Sequence, residues 1–124
     1  VPLVTGLPVG NSDHGLNGMS FDQHGDLLVC VGSQTNAGIP NCNLGNLPES
    51  PFSAAVLKVS LSDKVFNGKV VYRETATCRI NNDQVFGDRV DPIPGLSISV
   101  FTAGLRNPFS VTMTTKSLLY SSDN

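Results

Sequence analysis

The sequence predicts an all-β chain, and two observations predict it. Apolar residues gather in short β-branched or aromatic runs bounded by Gly, Asn, Asp and Pro, and no segment keeps apolar positions at i, i+3, i+4 and i+7 for about ten residues. The runs are, in order, Leu27 to Val31, Ala55 to Leu61, Lys69 to Tyr72, Ser97 to Phe101 and Ser117 to Ser121. His24-Gly25-Asp26 predicts a hairpin turn between Met19-Ser20-Phe21 and Leu27-Leu28-Val29. Asn67-Gly68 predicts a tight turn before Lys69, with the glycine supplying a positive φ. Two irregular stretches, Ser33 to Ser53 and Thr75 to Gly95, exceed the ~12 to 15 residues beyond which a loop usually carries a function or is disordered.

A weak internal repeat lays Asn17 to Phe21 and Leu27 to Val31 on Asn107 to Val111 and Leu118 to Ser122. Each copy reads as a polar entry, a short strand, a polar turn and a more apolar strand. Repetition of this kind suits a β-propeller, whose four-stranded blades bury their faces only against their neighbours around a ring. Propellers have about four to eight blades of roughly 40 to 50 residues. The expectation for residues 1–124 is therefore a fragment of a propeller, about two four-stranded antiparallel blades, completed by remaining blades or by other copies of the chain.

The composition, 40% hydrophobic and 15% charged over 124 residues, is that of a soluble globular domain, and no apolar run nears the ~20 residues that span a bilayer. A net charge of −2 with dispersed basic residues argues against a nucleic-acid partner. The chain begins at Val1 with neither a basic segment nor an apolar leader, so a processed or trimmed start is expected. Cys30, inside an apolar run, reads as a buried, inert small hydrophobe. Cys42 and Cys78 lie in turn-rich segments, and pairing with each other in an oxidising compartment stands beside free or differently paired thiols.

Two segments carry a family resemblance. Asp13-His14-Gly15-Leu16-Asn17-Gly18-Met19-Ser20-Phe21-Asp22, followed by Gly25 through Gly38, resembles the catalytic-histidine segment of the soluble quinoprotein glucose/sorbosone dehydrogenases. Gly104-Leu105-Arg106-Asn107-Pro108-Phe109, running on to Asn124, is similar to that family's Gly-x-Arg-Asn-Pro segment and the strand after it. Val56 to Val59 through Phe66-Asn67-Gly68 resembles the strand and turn between them.

The resemblance implies a six-bladed propeller that holds pyrroloquinoline quinone (PQQ) beside a calcium ion and oxidises an aldose or sorbosone by hydride transfer to the quinone. Carried over by position, His14 is the general base with Asp13 beside it, orienting the ring. Arg106 and Asn107 contact the quinone oxygens where charge develops, and His14 adjoins the cofactor as well. Imidazole is the side chain best poised to accept a proton near neutrality, and a guanidinium stabilises developing negative charge. In the family each of these residues begins the innermost strand of its blade, so Asp13, His14, Arg106 and Asn107 are expected to converge at one end of the sheets.

Without the resemblance, a histidine among Ser, Asp and Gly is a solvated or capping residue, and Arg-Asn-Pro is a turn. Asn107 serves the turn and the site together on the combined reading. His24 reads as an exposed turn residue, and Asp83, Asp88 and Asp91 lack the spacing of a calcium loop, so no metal ligand is assigned. The family's basic clamp on the quinone comes from later blades and its calcium loop from beyond Asn124, so the isolated piece is expected to be inactive. The setting implied is secreted, extracellular or periplasmic. The alternative function is a non-catalytic extracellular propeller that binds or scaffolds, since fold alone does not decide turnover.

Overall fold

A computed structural model of the chain describes residues 1–10, 14–36, 38–39, 42, 47–74 and 90–124. It is all-β, with antiparallel sheets and no α-helix among the described residues, so none there is long and apolar enough to cross a membrane. The strands are β1 (Leu16–Phe21), β2 (Leu27–Val31), β3 (Ala55–Val59), β4 (Tyr72–Glu74), β5 (Val90–Pro92), β6 (Ile98–Ala103), β7 (Pro108–Met113) and β8 (Leu119–Asp123). They form one four-stranded sheet in the order β1-β2-β3-β6 and two hairpins, β4-β5 and β7-β8. Among the described residues the eight strands thus make one four-stranded sheet and two two-stranded hairpins.

The central strands β2 and β3 read as nearly continuous apolar runs because both of their faces are covered. With a side-chain period of two, Val29, Val31, Ala55, Leu57 and Val59 point to one face and Leu28, Cys30 and Val56 to the other. The first face packs against Phe52, Val70 and Ile98, with Val4 and Leu7 from the N-terminal segment. The second packs against Val111, Met113 and Leu119 of the β7-β8 hairpin. Leu28, Leu57, Val31, Val56 and Val59 are fully buried, and each such side chain contributes about 1.5 to 3 kcal/mol by leaving water.

The turn between β1 and β2 is closed by Asp22, whose N–H donates to the Asp26 carbonyl at 2.9 Å and whose Oδ1 accepts from the N–H groups of His24 and Asp26. Gly25 supplies the positive φ, 83°, that this turn needs. Lys58 reaches from β3 to both Asp22 and Asp26 at 2.9 Å, pinning the turn to the sheet.

The turn between β7 and β8 repeats this pattern. Thr114 N–H donates to the Leu118 carbonyl, Ser117 N–H to the Thr114 carbonyl, and Thr114 Oγ1 accepts from the N–H groups of Lys116 and Leu118. The strand registers match too: Leu16 pairs with Val31 and Phe21 with Leu27, as Pro108 pairs with Asp123 and Met113 with Leu119, each with an irregularity near the start. One constant offset carries Leu16 to Pro108, Asp22 to Thr114 and Leu27 to Leu119. The internal repeat is therefore present, but its register differs from the sequence match of Asn17 with Asn107 and Leu27 with Leu118. Backbone hydrogen bonds define it, together with the side-chain oxygens of Asp22 and Thr114, which accept from equivalent N–H groups.

Gly68 serves close approach and does not take a positive φ. A Cβ there would lie 2.2 Å from the Leu3 carbonyl oxygen, where the N-terminal segment runs past and bridges through Thr5 to Lys69. Of the run expected as a strand from Lys69 to Tyr72, only that bridge and the first residue of β4 are strand-like.

Candidate functional site

His14 lies just before β1 and Arg106 just before β7, and the constant offset of the two hairpins places them at equivalent positions. The end of β2 runs between them. Gly32 N–H donates to the Gly15 carbonyl at 2.8 Å, and Ser33 N–H donates to the Arg106 carbonyl at 2.8 Å. Gly32 is required by this crowding: a Cβ on it would sit 2.6 Å from Asn107 Oδ1 and 3.0 Å from His14 Cβ. His14, Arg106 and Asn107 thus meet at one end of the sheet. Asp13 lies outside the described residues, as do Asp83, Asp88 and the Cys42–Cys78 pairing through Cys78.

His14 is buried, 4% exposed, and its Nδ1 lies 2.9 Å from Ser33 Oγ. The Ser33 hydroxyl donates to the Thr35 carbonyl. Thr35, fully buried, is gripped by Glu49: the carboxylate accepts from Gln34 N–H and Thr35 N–H, both at 3.0 Å, and from the hydroxyls of Thr35 and Ser53. Gly38 N–H donates to Thr35 Oγ1 at 2.8 Å.

Arg106 is exposed and oriented at both ends of its guanidinium. Nε donates to Asn36 Oδ1 at 2.9 Å and Nη1 to the Asn124 carbonyl at 2.8 Å. The Asp123 carboxylate accepts from the backbone N–H groups of Arg106, at 2.9 and 3.2 Å, and of Asn107, at 2.7 Å, which fixes the entry to β7. Asn107 is buried, and its Oδ1 accepts from Asn17 Nδ2 at 2.8 Å.

A cleft of about 430 Å³ opens here, lined by Ser33, Thr35, Asn36, Glu49, Arg106 and Asp123 among others. Its walls offer a cation, two carboxylates, hydroxyls and an amide, a lining suited to a polar ligand. His14 and Asn107 do not line it; His14 stands behind Ser33.

Sequence reasoning passed over Ser33, Asn36, Glu49 and Asp123. Three of them lie within segments quoted for the resemblance, but no spacing rule marks a hydroxyl or carboxylate that acts on a loop backbone, and Glu49 lies in an irregular stretch. His24 is exposed in its turn, at the far end of β1 from His14. Cys30 is fully buried, and burial pushes its thiol pKa up, partly offset by the Ser121 hydroxyl. No cluster of three or more His, Cys, Asp or Glu side chains among the described residues could hold a metal ion. Compared with protein-family models, curated proteins and solved structures, the chain has no match.

Proposed function

We propose that the chain is part of a PQQ-dependent sugar dehydrogenase of the propeller type, oxidising an aldose or sorbosone, with His14 as general base. In this reading the β1-β2-β3-β6 sheet is one blade and β7-β8 the inner half of the next, with remaining blades or other copies closing the ring. A secreted or periplasmic setting goes with it. The observation that carries the proposal is the equivalence of His14 and Arg106, which begin the first strands of two copies of one hairpin and meet across Ser33.

The residues fit the quinone in part. Arg106, steadied by Asn36 and Asn124 on the rim of the cleft, fits as a donor to an oxygen that gains negative charge. Asn107 fits less well, being buried outside the cleft lining with its oxygen engaged by Asn17. When bound, the quinone supplies the acceptor for the hydride, and His14 takes the sugar hydroxyl proton. Calcium goes with the quinone in this reading, and its ligands would come from outside the described residues, among which no group of three or more His, Cys, Asp or Glu could hold a metal ion.

A second reading rests on a different observation. His14 is buried and outside the cleft lining, so the cleft presents Arg106, hydroxyls, an amide and the Glu49 and Asp123 carboxylates without the histidine proposed as base. That lining suits a non-catalytic module that binds a polar ligand. Dye-linked oxidation across a panel of sugars, using the complete protein with calcium and PQQ, separates the two. Turnover supports the dehydrogenase, and sugar binding by calorimetry without turnover supports the module.

A further inference from the structure

We infer that Glu49 is the positioning residue for Arg106: its carboxylate clamps together the two loops that meet the entry to β7, and so fixes Asn36 as the acceptor that holds the guanidinium at the cleft rim. The use of that guanidinium for a quinone rests on the dehydrogenase reading; the clamp itself does not.

The first loop follows β2. Glu49 accepts from the N–H groups of Gln34 and Thr35, both at 3.0 Å, and from the Thr35 hydroxyl, which in turn accepts from Gly38 N–H at 2.8 Å. These bonds bend the loop around Thr35, which is fully buried. The loop so held meets Arg106 at its backbone and at its side chain. Ser33 N–H donates to the Arg106 carbonyl at 2.8 Å, and Asn36 Oδ1 accepts from Arg106 Nε at 2.9 Å.

The second loop leads into β3. The Ser53 hydroxyl donates to Glu49, and Ser53 N–H closes a turn onto the Ser50 carbonyl at 3.0 Å. The next residue, Ala54, has a φ of 54°, a left-handed state that costs a residue with a β-carbon and persists where its surroundings fix it. Its N–H donates to the Gly32 carbonyl at 3.3 Å and its carbonyl accepts from Leu105 N–H at 3.1 Å. Both loops gripped by Glu49 therefore end on Leu105 and Arg106, and Asn36, Ala54 and Arg106 line the cleft together.

The bond from Arg106 to Asn36 is exposed, and such a bond orients a long side chain only when its acceptor is itself fixed. Hydrogen bonds to a carboxylate are roughly twice as strong as neutral ones, which suits Glu49 to fix it. A guanidinium ordered before its ligand arrives spares the ligand the cost of ordering it.

The test is nitrogen NMR relaxation of the complete protein, read at Arg106 Nε against the backbone amides of β2. Wild-type Nε is expected to be as rigid as those amides, and Asn36→Ala and Glu49→Ala to release it into fast motion. Gln34→Ala is the control expected to stay rigid, since the contact with Glu49 is through the backbone N–H. A mobile wild-type Nε overturns the inference. So does a folded Glu49→Ala variant that loses stability while Nε stays rigid, the result of a merely structural role. If Glu49→Ala does not fold, Glu49→Gln decides: an amide keeps one accepting oxygen in place of two, so Nε should be partly released, and rigidity equal to wild type overturns the inference. Titration with PQQ separates this from the dehydrogenase reading. Release of Nε with PQQ affinity weakened roughly 2- to 10-fold in Asn36→Ala supports both. Release of Nε in a protein that binds no PQQ and oxidises no sugar keeps the inference and retires the dehydrogenase, whereas PQQ binding with a mobile wild-type Nε does the reverse.

Discussion

The side-chain amide of Asn17 donates to Asn107 Oδ1 at 2.8 Å and to the Pro108 carbonyl at 3.0 Å, joining the starts of β1 and β7. At the other end of the two hairpins Gln23 donates to the Ser117 hydroxyl, so the strands lie side by side along their length. Gly18 permits the approach, since a Cβ there would fall 2.8 Å from the Phe109 carbonyl oxygen. Asn17→Ala should lower stability by about 1 to 3 kcal/mol, because it leaves the buried Asn107 oxygen without that donor. Denaturant unfolding of Asn17→Ala, Asn107→Ala and the double variant checks this. The double variant should cost less than the two single changes summed.

Gly32 offers a sharper test of the crowding behind the site. Gly32→Ala pushes a methyl group toward Asn107 Oδ1 and His14 Cβ, and should cost about 1 to 3 kcal/mol. Gly15→Ala is the matched control, since a Cβ there meets nothing within 4 Å. Equal melting temperatures for the two variants would remove the steric account.

The strands were legible because burial writes itself into composition: Leu27 to Val31 is apolar throughout and Ala55 to Val59 is so except for Lys58, since both faces are covered. The Gly25 turn was legible because a positive φ demands glycine. At Gly68 the same residue type answered a different demand, the passing Leu3 carbonyl, which only tertiary structure reveals. The repeat was visible and its register was not. Asn17 and Asn107 look alike in sequence, yet they are bonded neighbours, and the true equivalents, such as Asp22 and Thr114, are different residue types that share a turn pattern and a side-chain oxygen accepting from the turn's N–H groups. The meeting of His14, Arg106 and Asn107 was an expectation that periodicity and composition do not supply, and Ser33 and Glu49 were hidden in loops, where periodicity carries no signal.

The Lys58 ammonium holds Asp22 well below the usual carboxylate range, at about 2 against an ordinary 3.8, with help from the N–H groups of Asp26 and His24 and against the opposing effect of burial. A carboxyl whose pKa is depressed on folding contributes stability that is present above its unfolded value and is lost as pH falls toward its folded one. Lys58 is shifted upward by the same pair of carboxylates, so its own contribution is lost only at alkaline pH. Lys58→Met should therefore cost on the order of 2 kcal/mol near neutrality. The gap to wild type should narrow as pH falls from 3.8 to about 2. Parallel denaturation curves across that range measure it, and a gap that stays constant would rule out the ion pair as its source.

The last prediction concerns turnover and separates the base from its surroundings. With calcium and PQQ supplied to the complete protein, His14→Ala should reduce dye-linked sugar oxidation by roughly 10²-fold or more, the usual worth of a positioned base. Arg106→Ala should also lower turnover by removing a charge that steadies the reduced quinone, and it should weaken quinone binding, since its guanidinium stands at the cleft rim. His24→Ala should leave both unchanged, being exposed in a turn at the opposite end of β1. Because Asn107 and Ser33 pack around His14, each variant needs its unfolding curve beside its rate, so that a loss of fold is not read as a loss of base. If His14→Ala folds as wild type and keeps full turnover, His14 is not the base. If wild type binds sugar and never reduces the dye, the cleft belongs to a binding module.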